Sequence, residues 1–300
     1  MRTNKLLKGY IFAILSAVIY GLMPFMAKYI YADGVNPISL VFFRNFLALP
    51  VMAFLAFINS KTLLFPIKTL PKISIIAIMG CCLTPLLLFS SYKHMASGTA
   101  TVFHFIYPAI VIILGVLFFK QKPNFKTLLP VLICIVGICL FYTPGQPLSL
   151  IGSVLALSSG ITYAIYVCLL SNFDSSKISG FLFSFYVALI NSVVLFFICI
   201  ATNSLILPKS ITGWLLCILF AILITTGAVV LFQAGTFIIG GERASILSTL
   251  EPITSIVVGA IFLNEKITVA TVIGTVLVIF SSILIAIFDM KKLTPKENEI

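Results

Sequence analysis

Two charged residues interrupt long apolar stretches, Arg44 in LVFFRNFLALP and Glu251 in ILSTLEPITSIVV. A lone His104 sits in a third stretch, TVFHFIYP. A charge at the centre of a bilayer costs about 2.5–3.5 kcal/mol on insertion scales, so each needs a reason to be there. Glu251 can bind a cationic group or a proton. Arg44 can bind a carboxylate, and His104 can exchange a proton near neutrality. Each has a plainer reading: Glu251 bonding backbone freed by Pro252, Arg44 pairing within the bundle or snorkelling to an outer face, His104 packing with its nitrogens satisfied. Around them fall Tyr107, Tyr20, Tyr163, Ser248 and Gln233 as candidate walls of a substrate site, with Tyr92, Tyr166 and Tyr186 as weaker additions. The spacings Thr101-x-x-His104-x-x-Tyr107 and Ser245-x-x-Ser248-x-x-Glu251 put each polar set near one face of a helix.

None of this is a catalytic arrangement. H-E-x-x-H, G-x-S-x-G and the phosphate-binding G-x-x-x-x-G-K-[ST] are absent, and His94 and His104 are the only histidines. The seven cysteines include no C-x-x-C pair and read as small packing residues. No cofactor, no metal and no enzymatic activity are expected.

The elements that carry these residues follow from composition. Hydrophobic residues make up 61% of the 300 and charged residues 9%, where a soluble domain carries roughly 25% charge. That excludes a water-soluble fold and a disordered chain. A membrane-crossing helix needs about 20 apolar residues. Ten such stretches are expected, at 8–31, 38–58, 72–92, 97–119, 126–142, 150–170, 180–201, 212–238, 242–263 and 269–288. Turn residues punctuate them, among them Asp33-Gly34, Gln121-Lys122-Pro123-Asn124 and Pro144-Gly145-Gln146-Pro147. Prolines within the spans (Pro24, Pro50, Pro85, Pro108, Pro252) predict kinks. With both termini in the cytoplasm, 14 of the 19 Lys and Arg fall on the inner side and 4 outside, Arg44 lying within a span. The net charge of +11 then faces anionic inner-leaflet lipid, so no nucleic-acid partner is needed.

The two halves are alike. Ala13, Ala17, Gly21 and Ser16, Tyr20 correspond to Ala156, Gly160, Ala164 and Ser159, Tyr163 at an offset of 143. Thr101, His104, Tyr107 and Pro108 correspond to Ser245, Ser248, Glu251 and Pro252 at an offset of 144, followed by Gly115 with Gly259, Phe118 with Phe262 and Gln121 with Glu265. A five-helix unit duplicated over 1–145 and 146–300 places its second copy upside down in the membrane. The expected fold is therefore an all-α integral membrane protein of ten transmembrane helices in two inverted five-helix repeats, an architecture of secondary transporters.

The paired segments, above all Leu250-Glu251-Pro252 through Gly259 to Leu263-Asn264-Glu265-Lys266, resemble the EamA-type repeat of the drug/metabolite transporter superfamily. The resemblance spans residues 8–288. It departs at Tyr107, where the second copy has Glu251, and at Gln121, where the second has Glu265. It implies ten helices with cytoplasmic termini and export or exchange of small metabolites, amino acids among them, by alternating access across a plasma membrane. A cationic drug or a nucleotide-sugar or phosphate substrate are the alternatives, the phosphate disfavoured by the single deep arginine. Protons are the available coupling ion, and lipids and a small-molecule substrate are the expected partners. An intramembrane enzyme or a channel ranks lower.

Overall fold

The computed structural model describes residues 2–65, 67–95, 97–119, 125–140, 149–174, 178–263 and 267–290. Every regular element among them is helical. The first part of the chain forms α1 (Arg2–Tyr20), α2 (Met23–Ala32), α3 (Pro37–Phe46), α4 (Leu49–Ser60), α5 (Leu70–Ala77), α6 (Thr84–Ser91), α7 (Ser97–His104), α8 (Tyr107–Phe119) and α9 (Phe125–Cys139). The remainder forms α10 (Leu150–Ser171), α11 (Gly180–Ala201), α12 (Ile211–Phe220), α13 (Val230–Ile239), α14 (Gly241–Ser248), α15 (Glu251–Leu263) and α16 (Val269–Met290). A π-helical segment, Ile78–Leu83, joins α5 to α6, and another, Ala221–Val229, joins α12 to α13.

Seven continuous helical stretches are long and apolar enough to cross a membrane: Asn4–Ala32, Pro37–Ser60, Ile67–Ser91, Leu150–Ser171, Gly180–Ala201, Ile211–Ile239 and Gly241–Phe262. Three shorter apolar helices, Tyr107–Phe118, Leu128–Cys139 and Val272–Ser281, fall within the fourth, fifth and tenth expected spans. The loop residues Gln121, Lys122, Pro144 to Pro147, Glu265 and Lys266 lie outside the described residues.

The expected kinks appear as two-residue lapses in the α-helical pattern, the backbone staying in the right-handed helical region at Leu22, Leu47, Ala48 and Thr249. Pro24, Pro50, Pro85, Pro108 and Pro252 are each the second residue of a new α-helical piece. Proline lacks the donor that would continue the preceding helix, but its fixed φ suits the first turn of the next. The spans expected at 8–31, 38–58, 97–119 and 242–263 are consequently broken at Gly21-Leu22, Leu47-Ala48, Phe105-Ile106 and Thr249-Leu250. The two polar triplets therefore do not each lie on one straight helix face: His104 ends α7 while Tyr107 begins α8, and Ser248 ends α14 while Glu251 begins α15.

Element bounds coincide along the chain. The pieces α7 and α8 match α14 and α15 residue for residue at an offset of 144, and the two π segments begin 143 residues apart. Packing is exchanged in the same sense: α1 lies on α13, and α10 lies on α6. In the first pair the Ser16 hydroxyl donates to the Ala228 carbonyl at 2.8 Å, and in the second Thr84 and Thr162 share a hydrogen bond of 2.8 Å. α9 and α16 pack against each other, antiparallel, with Gly137 against Leu277 and Val278, and Cys134 bonded to Ser281. Glycine permits the approach, since a methyl at Gly137 would come within 2.9 Å of the Gly274 carbonyl oxygen.

The buried apolar side chains divide into two main clusters. One gathers Met23, Met26, Ile30, Leu40, Phe43 and their neighbours at the end of the bundle that carries Asp33. The other gathers Ile73, Ile76, Phe183, Val187, Ile239 and their neighbours toward the end that carries Ser60. Tyr20 packs against both.

Candidate functional site

The four breaks and the π segments bring helix ends into the middle of the bundle, between the two apolar clusters. Tyr20 is the last residue of α1, and its phenol is a hydrogen-bond partner of the Arg44 guanidinium from α3. Glu251 opens α15 and is an electrostatic neighbour of Tyr20, Tyr92, Tyr107 and Tyr163. Tyr107 opens α8, and its hydroxyl donates to the Ser245 carbonyl at 3.2 Å and is also bonded to Ser248. Ser248 itself donates back to the Ala244 carbonyl at 2.8 Å, the usual way a serine is satisfied in an apolar helix.

His104 closes α7, with Nδ1 2.8 Å from the Ser159 hydroxyl oxygen. Its ring lies 5.3 Å from Tyr107 and 5.5 Å from Tyr163, while Tyr107 and Tyr163 meet edge to face at 4.7 Å and 85°. Tyr166 continues the row 5.4 Å from Tyr163. Gln233 reaches the same row through its amide: Ser184 donates to its Oε1 at 2.5 Å, and its Nε2 donates to the Tyr166 hydroxyl at 3.3 Å.

All eight residues singled out in the sequence thus belong to one neighbourhood, but their situations differ. Gln233, Tyr107 and His104 are buried and committed to protein partners. The Arg44 side chain is 3% exposed and keeps Nε unpartnered. The Glu251 side chain is only partly buried and accepts no hydrogen bond from a described residue. A buried charge without a full set of partners is expensive, so Arg44 and Glu251 are the two costly groups in this neighbourhood. Sequence reasoning overlooked Ser184, which holds Gln233, and Cys81, an electrostatic neighbour of Tyr20, Tyr166 and Arg44. Neither had a local signal: one serine and one cysteine among many in apolar helices. No cluster of His, Cys, Asp and Glu that could hold a metal ion occurs among the described residues.

A many-helix apolar bundle with seven helices long and apolar enough to cross a membrane has the make-up of a multi-pass membrane protein. The EamA-like transporter family matches twice, at residues 7–143 and 150–287, and the chain belongs to that family. It is similar to an uncharacterized inner membrane transporter, YicL, of Salmonella typhimurium, with 24% identity over 95% of this chain and 97% of that one. An uncharacterized transporter of Archaeoglobus fulgidus is 27% identical over 91% of this chain and 94% of its own length. A solved structure, titled only as the crystal structure of a protein, superposes with a TM-score of 0.78 at 14% identity, covering 98% of this chain and 100% of that one, which shows a shared fold.

Proposed function

We propose that this protein is a secondary transporter that carries small zwitterionic metabolites, amino acids foremost, by alternating access. In this reading ten helices form two inverted copies, 1–145 and 146–300, in a plasma membrane with both termini cytoplasmic. The doubled family match, the repeated helix breaks and the exchanged packing of α1 with α13 and α10 with α6 support the duplication. The excess of Lys and Arg on one side supports the orientation.

The observation that carries the function is that Tyr20 is hydrogen-bonded to Arg44 and is also an electrostatic neighbour of Glu251. Arg44 takes the solute carboxylate, Glu251 its ammonium group, and Tyr163 and Tyr107 line the side chain. Glu251 also takes a proton when no ammonium is present, which would couple solute to proton movement. The ring of tyrosines around Glu251 favours a second reading, a cationic drug-like substrate held by cation–π contact.

Uptake into proteoliposomes tests the proposal. Saturable flux of an amino acid, lost in Glu251→Gln and Arg44→Ala, is expected. Flux no greater than in protein-free vesicles across a broad panel contradicts it, and competition by cationic dyes but not by amino acids selects the second reading.

A further inference from the structure

The two halves hinge differently. In the first, α1 and α2 part at Gly21-Leu22, and α3 and α4 part at Leu47-Ala48. In the second, the stretches that match them by offset, α10 and α11, run 22 residues each without a break. The cause is Pro24 and Pro50, which have no counterpart in α10 or α11. The hairpin α2–α3 is therefore a short arm with a break at each base, and Tyr20 and Arg44 stand at those bases.

The tip of the arm is fastened across the molecule. The Asp33 carboxylate accepts from the Lys209 and Ser210 backbone N–H groups at 2.8 and 3.2 Å, at the N-terminus of α12, where an anion is favoured. Asn36 does two jobs: its Oδ1 caps α3 by accepting from Ser39 N–H at 2.8 Å, and its Nδ2 donates to the Ser204 carbonyl at 2.6 Å. The Ser39 hydroxyl donates to the same carbonyl at 2.8 Å and accepts from Ile206 N–H at 2.8 Å. Five hydrogen bonds thus tie residues 33–39 to residues 204–210.

The base of the arm is less content. Arg44 Nε and Asn45 Oδ1, in the last turn of α3, have no hydrogen-bond partner, nor has either amide atom of Asn191. Phe42 packs on Phe196, and Ala48 shares a small cluster with Ala188, so antiparallel α3 and α11 bring Asn45 level with Asn191. Buried polar groups left unpaired raise the energy of this closed arrangement relative to one that hydrates them.

We infer that the α2–α3 hairpin is a gate at the Asp33 end, hinged at Gly21-Leu22 and Leu47-Ala48 and held shut by the Asp33, Asn36 and Ser39 latch. Opening swings the apolar cluster of Met23, Met26, Ile30 and Phe43 away from α12 and exposes the central site. It carries Arg44 with it, so the gate and the carboxylate-binding group move as one body. This rests on the carrier reading, but its test needs no substrate, so the gate can fail while the carrier stands.

The native cysteines report on it. Cys199 and Cys217 are fully buried in the cluster beneath the hairpin, while Cys134 and Cys168 belong to the other cluster. Their labelling by N-ethylmaleimide in the purified full-length protein is followed by peptide mass spectrometry. Asp33→Ala combined with Asn36→Asp, which keeps the α3 cap but removes the amide donor, is expected to speed labelling of Cys199 and Cys217 roughly tenfold. Cys134 and Cys168 stay at their wild-type rates. Ser39→Ala, removing two of the five bonds, gives a smaller rise at the same two thiols. Unchanged rates at Cys199 and Cys217 in both variants overturn the gate, and so does acceleration of all four thiols together in both, which is general loosening.

Discussion

The broken helices α7–α8 and α14–α15 share their bounds and differ in what stands at the break. The first presents His104 and Tyr107, both buried and both hydrogen-bonded within the protein. The second presents Ser248, satisfied within its own helix, and Glu251, which accepts from no described residue. The same interrupted geometry thus holds a hydrogen-bonded pair in the first and a carboxylate without a described donor in the second. A matching inequality runs through the helices of α1–α4: Tyr20 and Arg44 lie beside breaks, whereas the positions 143 residues on, Tyr163 and Val187, lie in unbroken helices. Matched helix bounds thus carry unlike polar groups at corresponding positions.

The largest effect is expected from Glu251→Gln, which removes the open acceptor while keeping its shape. Transport should fall by roughly 10- to 150-fold, the range for about 1.5–3 kcal/mol of charge-assisted bonding, and Tyr107→Phe at the matching position should cost far less. Equal losses at both positions would erase the distinction. Gly21→Ala comes next: the added methyl would strike the Thr254 side chain and come within 2.8 Å of the Glu251 carbonyl oxygen. Overpacking of that kind costs about 1–3 kcal/mol, read as a fall in midpoint temperature. The matching residue, Ala164, already carries that methyl, so its helix tolerates what the first cannot. Gln233→Leu leaves Ser184 only the Gly180 carbonyl to donate to and Tyr166 without its donor, and is expected to destabilise by about 0.5–1.5 kcal/mol while lowering affinity only through the displaced Tyr166.

The smallest effect concerns pH. Bonding from Ser210, and from the Lys209 and Ser210 backbone, holds the Asp33 carboxyl below the usual aspartate range. A group with a lowered folded value adds stability above its unfolded value and loses it only as pH falls through the folded one. Between pH 8 and about 5 the labelling of Cys199 and Cys217 relative to Cys134 and Cys168, a ratio that removes the common fall in thiolate, should therefore stay level, rising only in stronger acid. A rise already near pH 6 would point to another titrating group at the latch.

Much of this was legible in the sequence because it rests on cost. Arg44 and Glu251 stand out among apolar neighbours, the five in-span prolines mark the α-helix starts at which they lie, and the offsets of 143 and 144 anticipate the repeated bounds. The two-residue lapse in helical bonding at each kink was not legible, since Pro24 and Pro252 carry the same local signal whether they bend a helix smoothly or open it. Nor was the latch. Asp33, Asn36 and Ser39 read as ordinary turn residues, and their partners lie 165 to 177 residues away, beyond any local pattern. Gln233 was read as a binding group because its polarity was visible; that Ser184 and Tyr166 already occupy its amide was not.

The central claim is that Arg44 and Glu251 grip opposite ends of one solute. It is tested most directly by thermal stabilisation of the wild type, Arg44→Gln and Glu251→Gln with three probes: the best-bound amino acid of a panel, its methyl ester, and its analogue lacking the amino group. A ligand that binds only the folded state raises the midpoint by mass action. The account predicts that the intact amino acid stabilises the wild type most, that Arg44→Gln no longer distinguishes it from the ester, and that Glu251→Gln no longer distinguishes it from the deaminated analogue. Equal stabilisation by all three probes in all three proteins would contradict it.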